Sequence, residues 1–258
     1  MTDPLSLTRK LHQLYLRYLD SFLPLRDDAL QEERRHLFER PGALYQEALL
    51  EPLPRYRQGR TLQALAQQVP LDPDLPDFAQ CGLLPRALPL YRHQEDSLRA
   101  TVAEGRHLVV TTGTGSGKTE CFLLPLVDYL LRESRGWTGP ERPRAVRALL
   151  LYPLNALAED QMFRLRRGLD SVAGPETGMG ARTWLARNRP DHFTFGRYTG
   201  RTPVPGAPKA RGKVNELRRI REDLERHARQ AADRPEIRYH FPSLDGGECV
   251  DRWQMQQA

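Results

Sequence analysis

The most constraining feature of this sequence is a glycine-rich segment, TGTGSGKT, at residues 112–119. It follows a β-branched run at residues 107–112, and the apolar spacing after it predicts a helix from Lys118 to about Arg132. Glycines let backbone N–H groups converge without Cβ collisions, and a helix N-terminus favours negative charge. Strand, glycine-rich turn and helix in this order are the context of a phosphate-binding P-loop.

The side chains at the end of this segment have defined roles at a nucleotide. Lys118 would contact the β and γ phosphates, and the Thr119 hydroxyl would coordinate the Mg²⁺ that bridges them. ATP and Mg²⁺ are therefore the expected cofactors, with Lys118 and Thr119 as the catalytic residues and Thr119 as the metal ligand. A loop that merely turns the chain is disfavoured because lysine, threonine and the strand-to-helix context coincide.

The pattern of strand followed by helix recurs along the chain. Residues 148–152 form an apolar run typical of a buried strand, and residues 155–169 have the spacing of an amphipathic helix. Residues 193–198 predict a third strand, followed by a charged helix at about residues 212–229. This alternation predicts an α/β fold with a parallel sheet covered by helices.

The N-terminal part has a different pattern. Apolar residues fall at helical spacing through residues 5–68, and residues 69–78 are rich in proline and aspartate, which disfavour regular structure. We therefore expect a helical N-terminal region with a linker at residues 1–80 and the phosphate-binding domain at residues 81–258.

Composition limits the possible partners and compartment. The net charge of +6 favours polyanions, because basic side chains that neutralise phosphates release counterions. The apolar stretch at residues 122–131 is about half as long as the roughly 20 residues of a membrane span, so no membrane partner and a cytoplasmic location are expected. Three scattered cysteines predict neither a disulfide framework nor a zinc site; they are Cys81, Cys121 and Cys249.

The segment TTGTGSGKTE at residues 111–120 closely resembles motif I of superfamily 2 helicases of the DEAD/DEAH-box type. LYRHQ at residues 90–94 resembles the element before motif I in that family, where a glutamine amide pairs with adenine. The resemblance implies a RecA-like fold and this set of cofactor-binding residues: Gln94, Thr112, Gly113, Thr114, Gly115, Ser116, Gly117, Lys118, Thr119 and Glu120.

Two further segments resemble the family's nucleic-acid contacts. YPLNALAEDQ at residues 152–161 is similar to motif Ia, which places backbone N–H groups and a helix start against the phosphates of one strand. Its ending resembles the large bacterial DNA-repair and phage-defence helicases, which favours DNA over RNA. YTGR at residues 198–201 lies where the family has another strand-contacting loop. The implied nucleic-acid-binding residues are Pro153, Asn155, Gln161, Thr199, Gly200 and Arg201.

One element that hydrolysis requires is missing from the pattern. The family uses an acidic pair after a hydrophobic strand, the DExH or DExD box, to hold Mg²⁺ and position water. After Lys118, the acidic pairs lie in predicted helices or, at residues 245–248, lack a preceding apolar strand. We therefore expect an incomplete RecA-like domain, truncated before this box. Such a chain would bind Mg-ATP but hydrolyse it negligibly unless a separate polypeptide supplies the rest of the helicase core.

Two other interpretations are considered. The first is a non-catalytic ATP-sensing interaction module, whose N-terminal helices dock a partner and whose P-loop serves as a sensor. The second is a P-loop kinase or ATPase outside the helicases, which the motif Ia similarity and Gln94 disfavour. Salt-sensitive binding to single-stranded DNA would favour the helicase interpretation over both.

Overall fold

The chain separates into two units, Met1–Arg55 and Tyr56–Ala258. The structure, a computed structural model, describes residues 3–40, 42–46, 49, 55–138, 145–175, 178–200, 202, 214–243, 245–250 and 255. Among these residues, no helix combines the length and the apolar character needed to cross a membrane.

The first unit contains two helices, α1 (Pro4–Phe22) and α2 (Asp28–Phe38). Both begin where an aspartate caps free N–H groups: Asp3 accepts from two backbone amides of α1, and Asp27 accepts from one of α2. Asp20 pairs with two arginines of α2 at 2.8 and 3.1 Å. Neither helix has a buried residue. The two helices are therefore stabilised by their caps and ion pairs rather than by a hydrophobic core.

The second unit begins with short strands and helices. The described elements up to residue 103 are β1 (Gln58–Thr61), α3 (Leu62–Leu65), α4 (Leu75–Ala79), β2 (Pro89–Tyr91), α5 (Arg92–Leu98) and a wide turn of helix at Arg99–Ala103. β1 and β2 pair antiparallel, with Gln58 opposite Tyr91 and a register shift before Thr61. The region predicted to be helical through residue 68 therefore contains a strand.

The later elements are α6 (Lys118–Ser134), α7 (Asn155–Leu169), α8 (Ala181–Asn188), β3 (Phe195–Gly196), α9 (Val214–Asp233), a 3₁₀ turn at Pro235–His240 and β4 (Glu248–Cys249). β3 and β4 pair parallel. α6 and α7 begin at the residues predicted from the sequence, and α9 lies within two to four residues of its prediction.

The core of the second unit lies beneath α6. Phe78 of α4 contacts the rings of Trp184 and Phe193 at centroid distances of 5.3 and 5.8 Å. α6 contributes Leu124, Val127 and Leu131, which are all fully buried. Burial of this face fixes α6, and with it the position of the glycine-rich loop at its start.

Residues 69–78, predicted to be a linker, are part of this core. Val69, Leu75 and Phe78 are buried, and Asp72 accepts hydrogen bonds from both Nε and Nη2 of Arg135 at 2.9 Å. Burial alone would raise the pKa of Asp72, but the hydrogen bonds and charge of Arg135 outweigh it and leave the pKa lowered. The apolar residues between the prolines explain the difference, and the unit boundary lies after Arg55 rather than near residue 80.

The predicted parallel sheet is not formed by the described residues. Residues 107–112 and 148–152 have no regular secondary structure, and Val109, Leu149 and Leu151 are largely exposed. A strand requires backbone partners on a neighbouring strand, and in this part of the chain none is paired with either segment. The third predicted strand is present as β3, with β4 as its parallel partner.

Candidate nucleotide site and strand-binding segments

The glycine-rich loop has a backbone that only glycine adopts readily. Gly115 and Gly117 both have φ of 72°, and Gly117 is the N-cap residue directly before α6. A Cβ at Gly117 would lie 2.3 Å from Nε2 of Gln94, whereas one at Gly115 would meet nothing within 4 Å. Gly115 is therefore required by its backbone conformation alone. Gly117 is required both by its conformation and by the close approach of the Gln94 side chain.

Lys118 is folded back over this loop. Its Nζ donates hydrogen bonds to the carbonyl oxygens of Thr112 and Gly113 at 2.6 and 2.8 Å. The Ser116 side chain is buried, and its hydroxyl lies 2.6 Å from that of Thr112. The lysine predicted to bind phosphates thus closes the loop on itself.

Gln94 joins α5 to the loop. Its Oε1 accepts from the backbone N–H of Tyr91 at 2.8 Å, and its Nε2 donates to the carbonyl of Gly117 at 2.9 Å. The side chain is 5% exposed. Both halves of the amide already have protein partners, so reading an adenine edge requires Gln94 to exchange at least one of these bonds.

An aromatic cluster beside Gln94 was missed by the sequence analysis. The rings of Tyr56, Tyr91 and His93 lie 5.4 to 5.7 Å apart, and Nε2 of His93 lies 2.8 Å from the carbonyl oxygen of Ser116. The Tyr56 hydroxyl reaches the loop, because a Cβ on Gly113 would lie 2.7 Å from it. Tyr56 is 38 residues before Gln94 and carries no motif, so no local signal indicates its position.

Glu95 is a second residue that sequence reasoning missed. Its side chain is fully buried, and its Oε1 forms an ion pair with Nη1 of Arg60. Nitrogens of Arg92 and Arg99 lie 3.6 and 3.7 Å from the same oxygen. Oε2 accepts the backbone N–H of Arg60 at 3.2 Å and occupies the space that a Cβ of Gly59 would fill. The pair fastens β1 to α5.

A cleft of about 810 Å³ opens beside the start of α6. Lys118, Thr119 and Gln161 line it together with apolar side chains of α6 and of residues 107–110. Cys121 lines it as well, and burial raises the pKa of its thiol, which keeps the thiol neutral. The cleft brings one predicted nucleic-acid residue next to two predicted nucleotide residues.

The other predicted strand-contacting residues lie on two neighbouring segments. Pro153 and Asn155 are exposed at the start of α7. Thr199 and Gly200 form a turn in which Thr202 accepts the Thr199 N–H at 2.8 Å. An ion pair between Arg197 and Glu159 of α7 joins the two segments. Arg201 lies outside the described residues.

The two glycines of the loop make a matched pair for mutagenesis. Gly115→Ala strains the backbone by about 1 to 2 kcal/mol, because a Cβ is disfavoured in the left-handed conformation. Gly117→Ala adds the collision with Gln94, so its loss of unfolding free energy should be larger. Urea denaturation followed by tryptophan fluorescence measures both. Equal losses in the two variants would contradict the close packing of Gln94 on Gly117.

Comparisons with known proteins match the part of the chain that contains this loop. The sequence profile of the DEAD/DEAH box helicase family matches residues 91–185, which contain the loop, α6 and α7. The Druantia protein DruE of Escherichia coli (strain UMEA 4076-1) is 34% identical over 201 residues, which are 76% of this chain and 10% of that protein.

Two further relatives match shorter stretches of this chain. The uncharacterized ATP-dependent helicase YprA of Bacillus subtilis is 34% identical over 32% of this chain and 10% of its own length. The probable ATP-dependent RNA helicase DDX28 of Mus musculus is 38% identical over 32% of this chain and 17% of its own. No solved structure matches. The chain spans a tenth to a sixth of these relatives, and its residues 91–185 belong to the DEAD/DEAH box helicase family.

Proposed function

We propose that this chain is the ATP-binding and nucleic-acid-binding part of an ATP-dependent helicase that acts on DNA. The observation that carries the proposal is the loop before α6, where Lys118 and two left-handed glycines stand inside the segment that matches the helicase family. A RecA-like α/β fold and a cytoplasmic location are parts of the same proposal.

The residues of the loop suit a triphosphate. The glycines leave backbone N–H groups unobstructed, α6 begins at the loop with its positive end, and the cleft beside it gives access to Lys118 and Thr119. Lys118 would hold the β and γ phosphates, and Thr119 would hold Mg²⁺. Bound ATP would supply the free energy for movement along nucleic acid.

Adenine would lie near Gln94 in this proposal. Because the Gln94 amide is bonded to Tyr91 and Gly117, base binding would replace one of these bonds, and recognition of the base would then be linked to the shape of the loop. The aromatic rings of Tyr56 and His93 lie beside the same amide and are apolar surfaces on which a base can stack.

Nucleic acid would contact α7 and the turn at residues 199–202. Pro153 and Asn155 at the start of α7 and Gly200 of the turn are exposed, and the Arg197–Glu159 pair joins the two segments. Backbone N–H groups at the start of a helix bind phosphates well. The motif ending ALAEDQ favours DNA, while the relatives include a probable RNA helicase, so the choice of nucleic acid needs its own test.

Hydrolysis is the step that this chain is proposed not to perform by itself. The acidic candidates after Lys118 have other partners: Glu248 is paired with Arg166, and Asp223 and Glu225 are paired with arginines of α9. We propose that the acidic box and the second lobe come from further residues or from a separate polypeptide. The alternative function is a non-catalytic ATP-sensing module, which the same lack of an acidic box favours.

Replacing Lys118 with alanine tests nucleotide binding. A charge-assisted contact is worth about 1.5 to 3 kcal/mol, so affinity for a fluorescent ATP analogue with Mg²⁺ should fall roughly 10- to 100-fold. Lys10→Ala, on the exposed surface of α1, removes the same side chain from the first unit and should leave the affinity unchanged. Equal affinities of the unmodified chain and a folded Lys118→Ala variant would refute the assignment of the loop.

ATP turnover by the purified 258-residue chain tests the missing acidic box. With nothing to position the attacking water, release of inorganic phosphate should stay at the level of the Lys118→Ala variant, with or without single-stranded DNA. A robust DNA-stimulated rate that Lys118→Ala abolishes would show that the chain supplies its own acidic pair and would overturn this part of the proposal.

Oligonucleotide binding distinguishes the helicase interpretation from the ATP-sensing module. We expect fluorescence anisotropy to detect binding of single-stranded DNA whose affinity falls with salt, with a slope of about −0.7 per neutralised phosphate. RNA of the same length and sequence should bind more weakly. Tighter RNA binding would reverse the DNA assignment, and no binding to either would favour the ATP-sensing module.

A further inference from the structure

A series of polar contacts connects the glycine-rich loop with α7. Oε1 of Glu120, in the first turn of α6, accepts a hydrogen bond from Nη1 of Arg164 at 3.2 Å. Nε of Arg164 lies 3.6 Å from Oδ2 of Asp160, which accepts from Nε2 of Gln161 at 3.2 Å. Four side chains on two helices thus form a continuous path.

The Glu120 end of this path lies against the loop itself. A Cβ on Gly117 would approach Oε2 of Glu120 to 3.0 Å. That oxygen is buried and has no hydrogen-bond partner among the residues that the structure describes. The carboxylate is therefore held through its other oxygen by Arg164, and a shift of Gly117 acts on it directly.

Phosphate binding would require this part of the loop to change. Lys118 now bonds the carbonyls of Thr112 and Gly113, and its ammonium has to leave them to reach a phosphate. The Gly117 carbonyl is bonded to Gln94, which would exchange bonds with a base. The first change moves Lys118, the residue next to Gly117, and the second frees the Gly117 carbonyl. Oε2 of Glu120 packs against Gly117, so both changes occur beside this carboxylate.

The Arg164 end lies on the helix that carries the proposed nucleic-acid contacts. Gln161 lines the same cleft as Lys118 and Thr119. Glu159, two residues earlier, pairs with Arg197 before the turn at residues 199–202. A rotation of α7 driven through Arg164 would therefore reach both proposed strand-binding segments.

We propose that Arg164 is a positioning residue that couples nucleotide binding at the loop to nucleic-acid binding by α7, acting through Glu120. The proposal rests on the proposed function, since it requires both ligands to bind. Coupling of this kind is reciprocal: if the nucleotide changes the affinity for nucleic acid, nucleic acid changes the affinity for the nucleotide by the same factor.

The coupling can be measured as a ratio of dissociation constants. Fluorescein-labelled oligo(dT) is titrated with the full chain, with and without Mg²⁺ and the non-hydrolysable analogue AMP-PNP. We expect the ratio in the unmodified chain to be at least about fivefold, the lower end of typical allosteric coupling. Arg164→Gln and Glu120→Gln should each bring the ratio below about twofold, and the double variant should lower it no further, because both act through one contact.

Matched variants separate coupling from loss of charge or fold. Arg167→Gln removes the same charge from an exposed position on the same helix and should keep the ratio of the unmodified chain. Arg164→Lys keeps the positive charge and should retain part of the ratio. Thermal unfolding of each variant establishes that it is folded under the conditions of the titration.

The outcomes distinguish this inference from the proposed function. If the unmodified chain fails to bind the analogue or the oligonucleotide, the proposed function fails and the inference fails with it. If it binds both and the ratio is one, or if Arg164→Gln keeps the full ratio, the inference alone is overturned. Loss of the ratio in Arg167→Gln as well would assign the effect to general charge and would also overturn it.

Discussion

Two side chains of α5 hold the glycine-rich loop in its shape, and the rest of the candidate site depends on them. Gln94 bonds the carbonyl of Gly117, and His93 bonds that of Ser116. No strand ladder supports the loop from its other side, because residues 107–112 are unpaired in the described part of the chain. Contacts from α5, together with the buried face of α6, therefore set the position of the loop and of the cleft beside it.

α5, which supports the loop, is itself held in place by β1. α5 is fixed to β1 by the buried carboxylate of Glu95 and the arginines around it. The carboxylate is fully buried while the three arginines are partly exposed, so the buried charge depends on them for compensation. Gly59 leaves the space in which that carboxylate fits. The strand Gln58–Thr61 thus supports a proposed nucleotide site whose motif lies more than fifty residues further along the chain.

Local patterns predicted the helices and the loop, and non-local contacts account for what was missed. α6 and α7 begin at the residues predicted from the sequence, because the apolar spacing of a helix can be recognised within a few turns of the chain. The strand prediction at residues 148–152 was wrong for this structure, since strand bonds come from partners that periodicity does not reveal. Glu95 pairs with Arg60, which lies 35 residues earlier in the chain. No sequence pattern around either residue predicts this contact.

The closed position of Lys118 bears on which anions the proposed site would bind. While its ammonium is satisfied by two carbonyl oxygens, the loop offers little net attraction to a chloride or a single free phosphate. A triphosphate with its metal can engage the lysine, the backbone N–H groups and the threonine together, and so displace both carbonyls at once. Under the proposed function, only molecules in which Lys118 has left these carbonyls would bind, and the observed affinity would be lowered by their fraction. We therefore expect small anions to compete weakly with a triphosphate at this loop.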